Sequence, residues 1–448
     1  MRRRTLTLFV CALSAIAQSA QKKAPPPPPL SKPLPPAERQ ALWRQDLEYF
    51  ARHFSHGHCT PADFLHEPLL VFQPCHQADF AKLYAEPDFT NEIHAIEEGL
   101  SNLNDSQIVL RLARLVAKGH VGHTFVGIPA LRLGFSVLPF AFHWYADGLA
   151  ITQATPQHAD ALGARILKFG PLTAEDAVQA VAPYVSYENR NWLRTQSENY
   201  LMRMQVLQEI GAADANNQVK LTLVKQGGEP YTLSARPRDP RVKMLDVFST
   251  LKIPETLARK HLQNLFYSFE YLPDSQALYI QYNQCENDPK HPFSQFAGEV
   301  CLVADSHKMA RAIVDLRFNG GGNSRVIIPL KSGLRSRHIP LFVLIGDETF
   351  SSAQDNAIAM RRENHATLVG HATGEKPNGY GEVRTLRLPN SGLGIQYSTE
   401  YYRTLKHEDP DALYPDIAVE ATIGDMLAGR DPVLETALHA TPRSGEKY

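Results

Sequence analysis

The sequence lacks the short motifs that mark several enzyme classes. It has no H-E-x-x-H for a zinc peptidase, no G-x-G-x-x-G after a strand for a dinucleotide, and no complete G-x-x-x-x-G-K-[ST] for a nucleotide phosphate. It also has no G-x-S-x-G elbow of the α/β-hydrolase kind. Charge of one sign is missing too. Forty-six basic residues face 47 acidic ones, a net of −1, which excludes nucleic-acid binding through bulk charge and a polybasic membrane anchor. Long apolar runs are absent. The run from Leu6 to Ala17 has twelve residues, short of the ~20 that cross a bilayer. Cysteine is sparse, with five in 448 residues.

What is present reads as a folded, exported protein. Apolar residues make up 43% of the chain and recur throughout, so extended disorder is excluded and two or three domains are expected. Arg2, Arg3 and Arg4 precede the short apolar run, and small residues stand at its end and just beyond it, at Ala15, Ala17, Ser19 and Ala20. This is the layout of a secretory signal over residues 1–20, and it predicts a periplasmic or secreted protein. Cys11 leaves with the signal. The remaining four, Cys59, Cys75, Cys285 and Cys301, fall into two local pairs. In an oxidising compartment these predict disulfides Cys59–Cys75 and Cys285–Cys301. No metal site or cofactor is expected.

Residues 21–36 form a linker with an unbroken run from Pro25 to Pro29, a stiff polyproline spacer. Residues 37–127 predict an N-terminal helical domain. Ile93, Ile96 and Leu100, then Ile108, Leu112, Leu115 and Val116, keep helical spacing, and Asn104-Asp105-Ser106 supplies a start signal. Residues 128–236 change to strand patterns. Asp147-Gly148 and Gly227-Gly228 mark turns, and residues 184–210 read as a helical insertion. The whole resembles a PDZ-like β region. Arg132-Leu133-Gly134-Phe135 is similar to the carboxylate-binding loop of such modules, which puts the Gly134 and Phe135 amides at the end of a substrate chain. From 237 to 448, strands Ala277–Tyr282, Ala312–Leu316, Leu341–Ile345 and Ala366–Val369 alternate with helical stretches. One such stretch ends over Met309 to Arg311 and another spans Ser352 to Arg361. The fold class expected is therefore α+β multidomain, its last domain an α/β unit with a largely parallel sheet.

Three segments of that domain carry chemistry. Asp315-Leu316-Arg317-Phe318-Asn319-Gly320-Gly321-Gly322-Asn323 runs a buried strand into three glycines, leaving amides open to an anion. Thr349-Phe350-Ser351-Ser352-Ala353 places two serines at a helix start, where an N-cap or a nucleophile would sit. Gly374-Glu375-Lys376-Pro377-Asn378-Gly379-Tyr380-Gly381-Glu382 follows a third strand and otherwise reads as a polar loop.

In this order the segments resemble the tail-specific, or C-terminal processing, serine peptidase family, through Pro415-Asp416-Ile417 to Gly429-Arg430-Asp431-Pro432-Val433-Leu434. The resemblance implies peptide-bond hydrolysis through an acyl-enzyme on Ser351, by a serine-type endopeptidase. Its base would be Lys376, 25 residues on, a lysine acting without a His–Asp pair. The amides of Ser352 and of Gly320 or Gly321 would form the oxyanion hole. Gly119-His120-Val121-Gly122-His123-Thr124 is similar to a second family segment, from which the tricorn-core branch draws a histidine base helped by a glutamate. Those roles would fall to His123 and Glu382, and the choice between Lys376 and His123 stays open. Val121 stands where the family usually has Asp, Gln354 where many members have Glu, and Tyr380 where the processing peptidases have Gln. A polypeptide is the expected partner, with no nucleic acid, no membrane span and the oligomeric state open. The alternative is a non-catalytic peptide-binding protein, or an apolar-ligand carrier similar to the retinoid-binding-protein repeats of the eye.

Overall fold

The computed structural model describes residues 34–56 and 86–443. The signal, nearly all of the proline-rich linker and the Cys59–Cys75 pair lie outside the described residues.

Helices α1 (Pro36–His56), α2 (Glu86–Glu98) and α3 (Asp105–Ala117) open the fold. The start of α3 falls where the sequence places it. Asn104 accepts the Gln107 amide through its side chain, and the Gln107 side chain accepts the Asn104 amide in return. Ile108, Leu112, Leu115 and Val116 are buried on one face of α3, as are Trp43, Leu47, Phe50 and Phe54 of α1. These helices have no core of their own. They share one apolar cluster with the β region that follows and with Leu388, Leu393 and Ile395 from much later in the chain.

That β region contains β2 (Phe140–Tyr145), β3 (Gly148–Ala154), β4 (Arg165–Phe169), β5 (Leu172–Thr173), β6 (Val219–Val224), β7 (Tyr231–Ala235) and β8 (Leu245–Asp246). The sheet order is β2-β3-β4-β6-β7, with β5 on β4 and β8 on β3. Helices α4 (Ala174–Val181), α5 (Arg190–Leu201) and α6 (Met204–Glu209) lie between β5 and β6. The helical insertion read from sequence is thus α5 and α6.

The last region is built on a six-stranded sheet. Its strands are β9 (Tyr267–Leu272), β10 (Ala277–Tyr282), β11 (Arg311–Asp315), β12 (Leu341–Ile345), β13 (Thr367–Gly370) and β16 (Ile417–Ala418), in the order β16-β13-β12-β11-β10-β9. All neighbours are parallel except β9 and β10. Helices α7 (Phe293–Ser306), α8 (Ile328–Ser336), α9 (Ser352–Glu363), α10 (Ile423–Ala428) and α11 (Pro432–His439) complete it. Both faces of the sheet are covered. Leu278, Ile280 and Tyr282 join one cluster and Tyr279 another, which is why β10 is apolar almost throughout. Beyond β11, the Arg317 guanidinium bonds Asp315 and Asp431 at 2.6 and 2.8 Å, tying the Gly-rich segment to the C-terminal one.

The structure departs from the sequence reading in three places. First, Met309 to Arg311 does not end a helix. α7 stops at Ser306, His307 is extended, and Arg311 already opens β11. Second, residues 378–403 are mostly a two-stranded ribbon, β14 (Asn378–Arg387) with β15 (Gly394–Arg403), joined at its edge by β1 (Phe125–Val126). Gly379 and Gly381 hid β14 behind a loop-like composition. Third, Cys285 and Cys301 are not bonded to each other. Cys285 is fully buried, with its Sγ facing Asn319 Oδ1 at 3.6 Å and Asn356 Nδ2 at 3.4 Å. Cys301 sits in the middle of α7 and packs on Gly333 of α8, where an added Cβ would come within 2.4 Å of its sulfur. Local spacing suggested a pair, but a helix turns the second thiol toward another partner.

Candidate active site

The buried strand β12 delivers Ser351. Its exit turn is clamped by Thr349, whose Oγ1 accepts the Gly346 amide at 3.0 Å and donates to the Leu316 carbonyl at 2.9 Å. The Phe350 amide then bonds the Asn319 carbonyl at 3.1 Å, so the serine segment and the Gly-rich segment are held edge to edge. Ser351 has φ 53° and ψ −131° and makes no side-chain cap bond to α9. The capping role is therefore not used. A non-glycine residue held at positive φ is a strained arrangement of the kind found at functional sites. Gly321 lies directly against it. A Cβ there would stand 2.7 Å from Ser351 Cβ, and its φ is +105°.

The Gly-rich segment offers fewer free donors than its composition implies. The Gly321 amide is taken by Asn319 Oδ1 at 2.9 Å. The amides of Gly320 and Ser352 make no hydrogen bond to a protein group among the described residues. Both are therefore free to donate to an anion brought to this turn. The loop is braced from below by Cys285, whose amide donates to Gly321 O at 2.9 Å and whose carbonyl accepts from Asn323 at 2.7 Å.

His123 is buried beside the same serine. It precedes β1, and its carbonyl accepts from Gln396 of β15 at 3.0 Å. Its ring lies 4.6 Å from that of Phe350. Nδ1 stands 3.1 Å from Glu375 Oε1, off the line of an ideal hydrogen bond, so the attraction is chiefly coulombic. The other carboxylate oxygen of Glu375 accepts the Ser351 amide at 2.5 Å. One buried glutamate thus links the serine and the histidine. Burial alone would lower the His123 pKa, but Glu375, then Glu188 and Asp355, outweigh it and hold it above 6.5.

Two further carboxylates surround this group. Glu188, in the loop before α5, accepts the Gly122 amide with Oε1 and the Lys376 amide with Oε2, both at 3.1 Å. Burial and then the Glu375 charge push it up to about 7. Asp355, on the first turn of α9, is pushed up to about 6 by burial and then by Glu375. Trp192 of α5 stacks on Phe350 at 4.0 Å and 18°.

The structure brings Ser351, His123 and the Gly320 and Ser352 amides together. It does not bring Lys376 or Glu382 to them. The Lys376 ammonium is 3.5 Å from Asp409 with a third of its side chain exposed, far from the buried setting that would make a lysine a proton acceptor. Glu382 is exposed on β14 and accepts from Tyr402 Oη at 3.1 Å. The turn at Arg132–Phe135 is closed on itself, since the Phe135 amide donates to Arg132 O at 3.0 Å. Gly134 borders an open surface pocket of about 740 Å³, lined also by Arg39, Leu103, Asn104 and Gln205. Gln354, at the position noted for its departure, accepts from Thr373, which also bonds the Glu375 carbonyl at 3.2 Å. The sequence reading missed Glu375 and Glu188. Glu375 was one residue from the lysine it named as a candidate base, but no motif marks Glu188. Among the described residues no group of three His, Cys, Asp or Glu side chains is set to hold a metal.

Residues 331–419 match the family model of peptidase family S41. The resemblance to the tail-specific peptidases is borne out. The fold is similar to that of mature CPAF complexed with lactacystin, with a TM-score of 0.59 at 12% identity over 90% of this chain and 98% of that one. It is similar to mature CPAF by itself with the same score and identity, over 90% and 97%. At that identity the likeness is one of fold. No curated protein sequence matches the chain. The architecture of helices, PDZ-like β region and largely parallel sheet is the one expected from sequence, and no described helix is long and apolar enough to cross a membrane.

Proposed function

We propose that this S41-like chain is an exported serine endopeptidase acting on polypeptides, with Ser351 as nucleophile and His123 as general base. The observation that carries the reading is Glu375, one carboxylate shared between the Ser351 amide and the His123 ring. With Nδ1 turned to Glu375, His123 keeps Nε2 for the reacting proton. Ser351 Oγ attacks the scissile carbonyl as Nε2 takes its proton, and the carbonyl oxygen gains its charge against the Gly320 and Ser352 amides. Collapse breaks the C–N bond. The proton on Nε2 passes to the leaving amine, and the acyl group stays on Ser351. Water then attacks the ester, giving its proton to Nε2, and the carboxylic acid leaves as Ser351 recovers its own. Glu375 balances the imidazolium formed in both halves. Export is supported by Arg2–Arg4 and the apolar run behind them.

The test is to incubate the purified mature protein with an unfolded polypeptide and map the cuts by mass. Internal cuts are expected from the wild type and none from Ser351→Ala. His123→Ala should lose at least a hundredfold in kcat, while Lys376→Ala keeps most of it. A dead, folded Lys376→Ala with an active His123→Ala would return the base role to the lysine. Cleavage by Ser351→Ala would overturn the whole reading.

A further inference from the structure

The three residues of the proposed site come from three distant segments, and each is held from outside by one short stretch of another region. That stretch is Glu188–Trp192, the entry to α5. Asn189 accepts the Trp192 amide at 3.0 Å and so caps the helix, while its Nδ2 donates to Thr373 O at 3.1 Å and Asp411 O at 2.8 Å. Asn191 donates to Ala372 O and Thr373 O at 3.2 and 3.3 Å. These bonds fix the approach to Glu375. Trp192 stacks on Phe350, next to Ser351. Its close fit leaves no room at Gly374, where a Cβ would meet the indole at 2.7 Å.

Glu188 has the most telling place in this stretch. Its two oxygens reach the residue before His123 and the residue after Glu375. A carboxylate can accept both amides at once, because both of its oxygens are acceptors. An amide side chain cannot, since its NH2 would face a backbone N–H. We propose that Glu188 is a positioning residue, whose carboxylate oxygens bridge the Gly122 and Lys376 amides and thereby set the His123 ring against Glu375 for proton transfer. This rests on the serine peptidase reading above and adds a residue to it.

Glu188 also acts on His123 through charge. The charged groups facing the imidazole are Glu375 from the loop after β13, Glu188 from the entry to α5 and Asp355 from α9. The Lys376 ammonium, which could offset them, is turned to Asp409. Removing the Glu188 charge therefore makes His123 easier to deprotonate, while removing its bridge lets the ring drift. The two effects separate in a pH profile, since a purely structural loss would leave the acid limb in place.

The experiment measures kcat, KM and the acid limb of kcat/KM for wild type, Glu188→Gln and Glu188→Asp on one peptide substrate. Folding is checked by circular dichroism. A fluorophosphonate probe, read by mass at Ser351, reports the nucleophile separately. Glu188→Gln is expected to lose ten- to a hundredfold in kcat, as for a displaced catalytic group, with KM within threefold and the acid limb moved to lower pH. Glu188→Asp keeps the charge but lacks the reach for both amides. Its limb should stay near the wild-type position while kcat remains low. Wild-type kcat in Glu188→Gln, or an unmoved limb, would overturn the proposal while leaving the peptidase reading intact. If Glu188→Gln does not fold, Glu188→Asp decides, and wild-type kcat there overturns it. A wild type that neither cleaves nor takes the probe would overturn the peptidase reading and this inference with it.

Discussion

Replacing Gly321 by Ala tests whether the Gly-rich turn is shaped by its contact with the nucleophile. The added Cβ would meet Ser351 Cβ at 2.7 Å, Phe350 O at 3.0 Å and the Ser352 amide nitrogen at 3.1 Å. None of these is the end of a flexible side chain. Two carbon atoms need about 3.5 Å, so the loop or Ser351 must move by nearly 1 Å. The conformation adds to the cost, because φ is +105°, where an alanine is strained by about 1–3 kcal/mol. The loop cannot move freely, since the Cys285 backbone brackets Gly321 through its carbonyl and Asn323 through its amide. The displacement therefore falls on Gly320 and Ser351 together. A misplaced oxyanion donor costs about 10²–10³ in kcat. We expect Gly321→Ala to retain its fold by circular dichroism and to lose at least a hundredfold in kcat with KM changed little. An alanine variant with wild-type kcat/KM would refute both the packing argument and the place of the oxyanion hole.

Three other outcomes follow from the geometry. Only neutral His123 accepts a proton, and its pKa is held above 6.5, so kcat/KM should rise with pH through a midpoint above that value, and a midpoint near 5 would contradict it. Burial pushes the Cys285 thiol up to about 12, so iodoacetamide on the native protein should modify Cys301 and spare Cys285, whereas a cross-linked Cys285–Cys301 peptide in non-reducing mass mapping would contradict the structure. Arg317→Ala strands Asp315 and Asp431 in a buried site and should lower stability by about 3–5 kcal/mol in urea unfolding, and a loss below about 1 kcal/mol would show the network to be worth little.

Much of the architecture is legible in the chain because it is local. The strands at 277–282 and 341–345 are apolar at nearly every position, since a parallel sheet buries both faces. Asn104 with Gln107 starts a helix by a rule that spans three residues. The run of glycines after Leu316 and the serines after Phe350 reveal turns at strand ends. Such features depend on residues within one turn or one strand, and the sequence alone determines them.

What the sequence could not settle is which side chain arrives at Ser351. Glu375 and Lys376 are neighbours at a bend, yet one is buried against the serine amide and the other pairs with Asp409 near solvent. Spacing from Ser351 cannot separate two adjacent residues, because the direction of each side chain is set by what packs on the bend. His123 reaches the site only because β15 pairs with β1 and holds its carbonyl, and the glycines of β14 concealed that ribbon. Glu188 comes from the loop before α5 and Trp192 from α5 itself, both in an insertion into another sheet, with no local pattern to mark them. The same holds for Cys285 and Cys301, whose separation is set by the helix that carries one of them. Local backbone preference and apolar periodicity are written along the chain, but the meeting of buried charges is decided only when distant segments share one low-dielectric space.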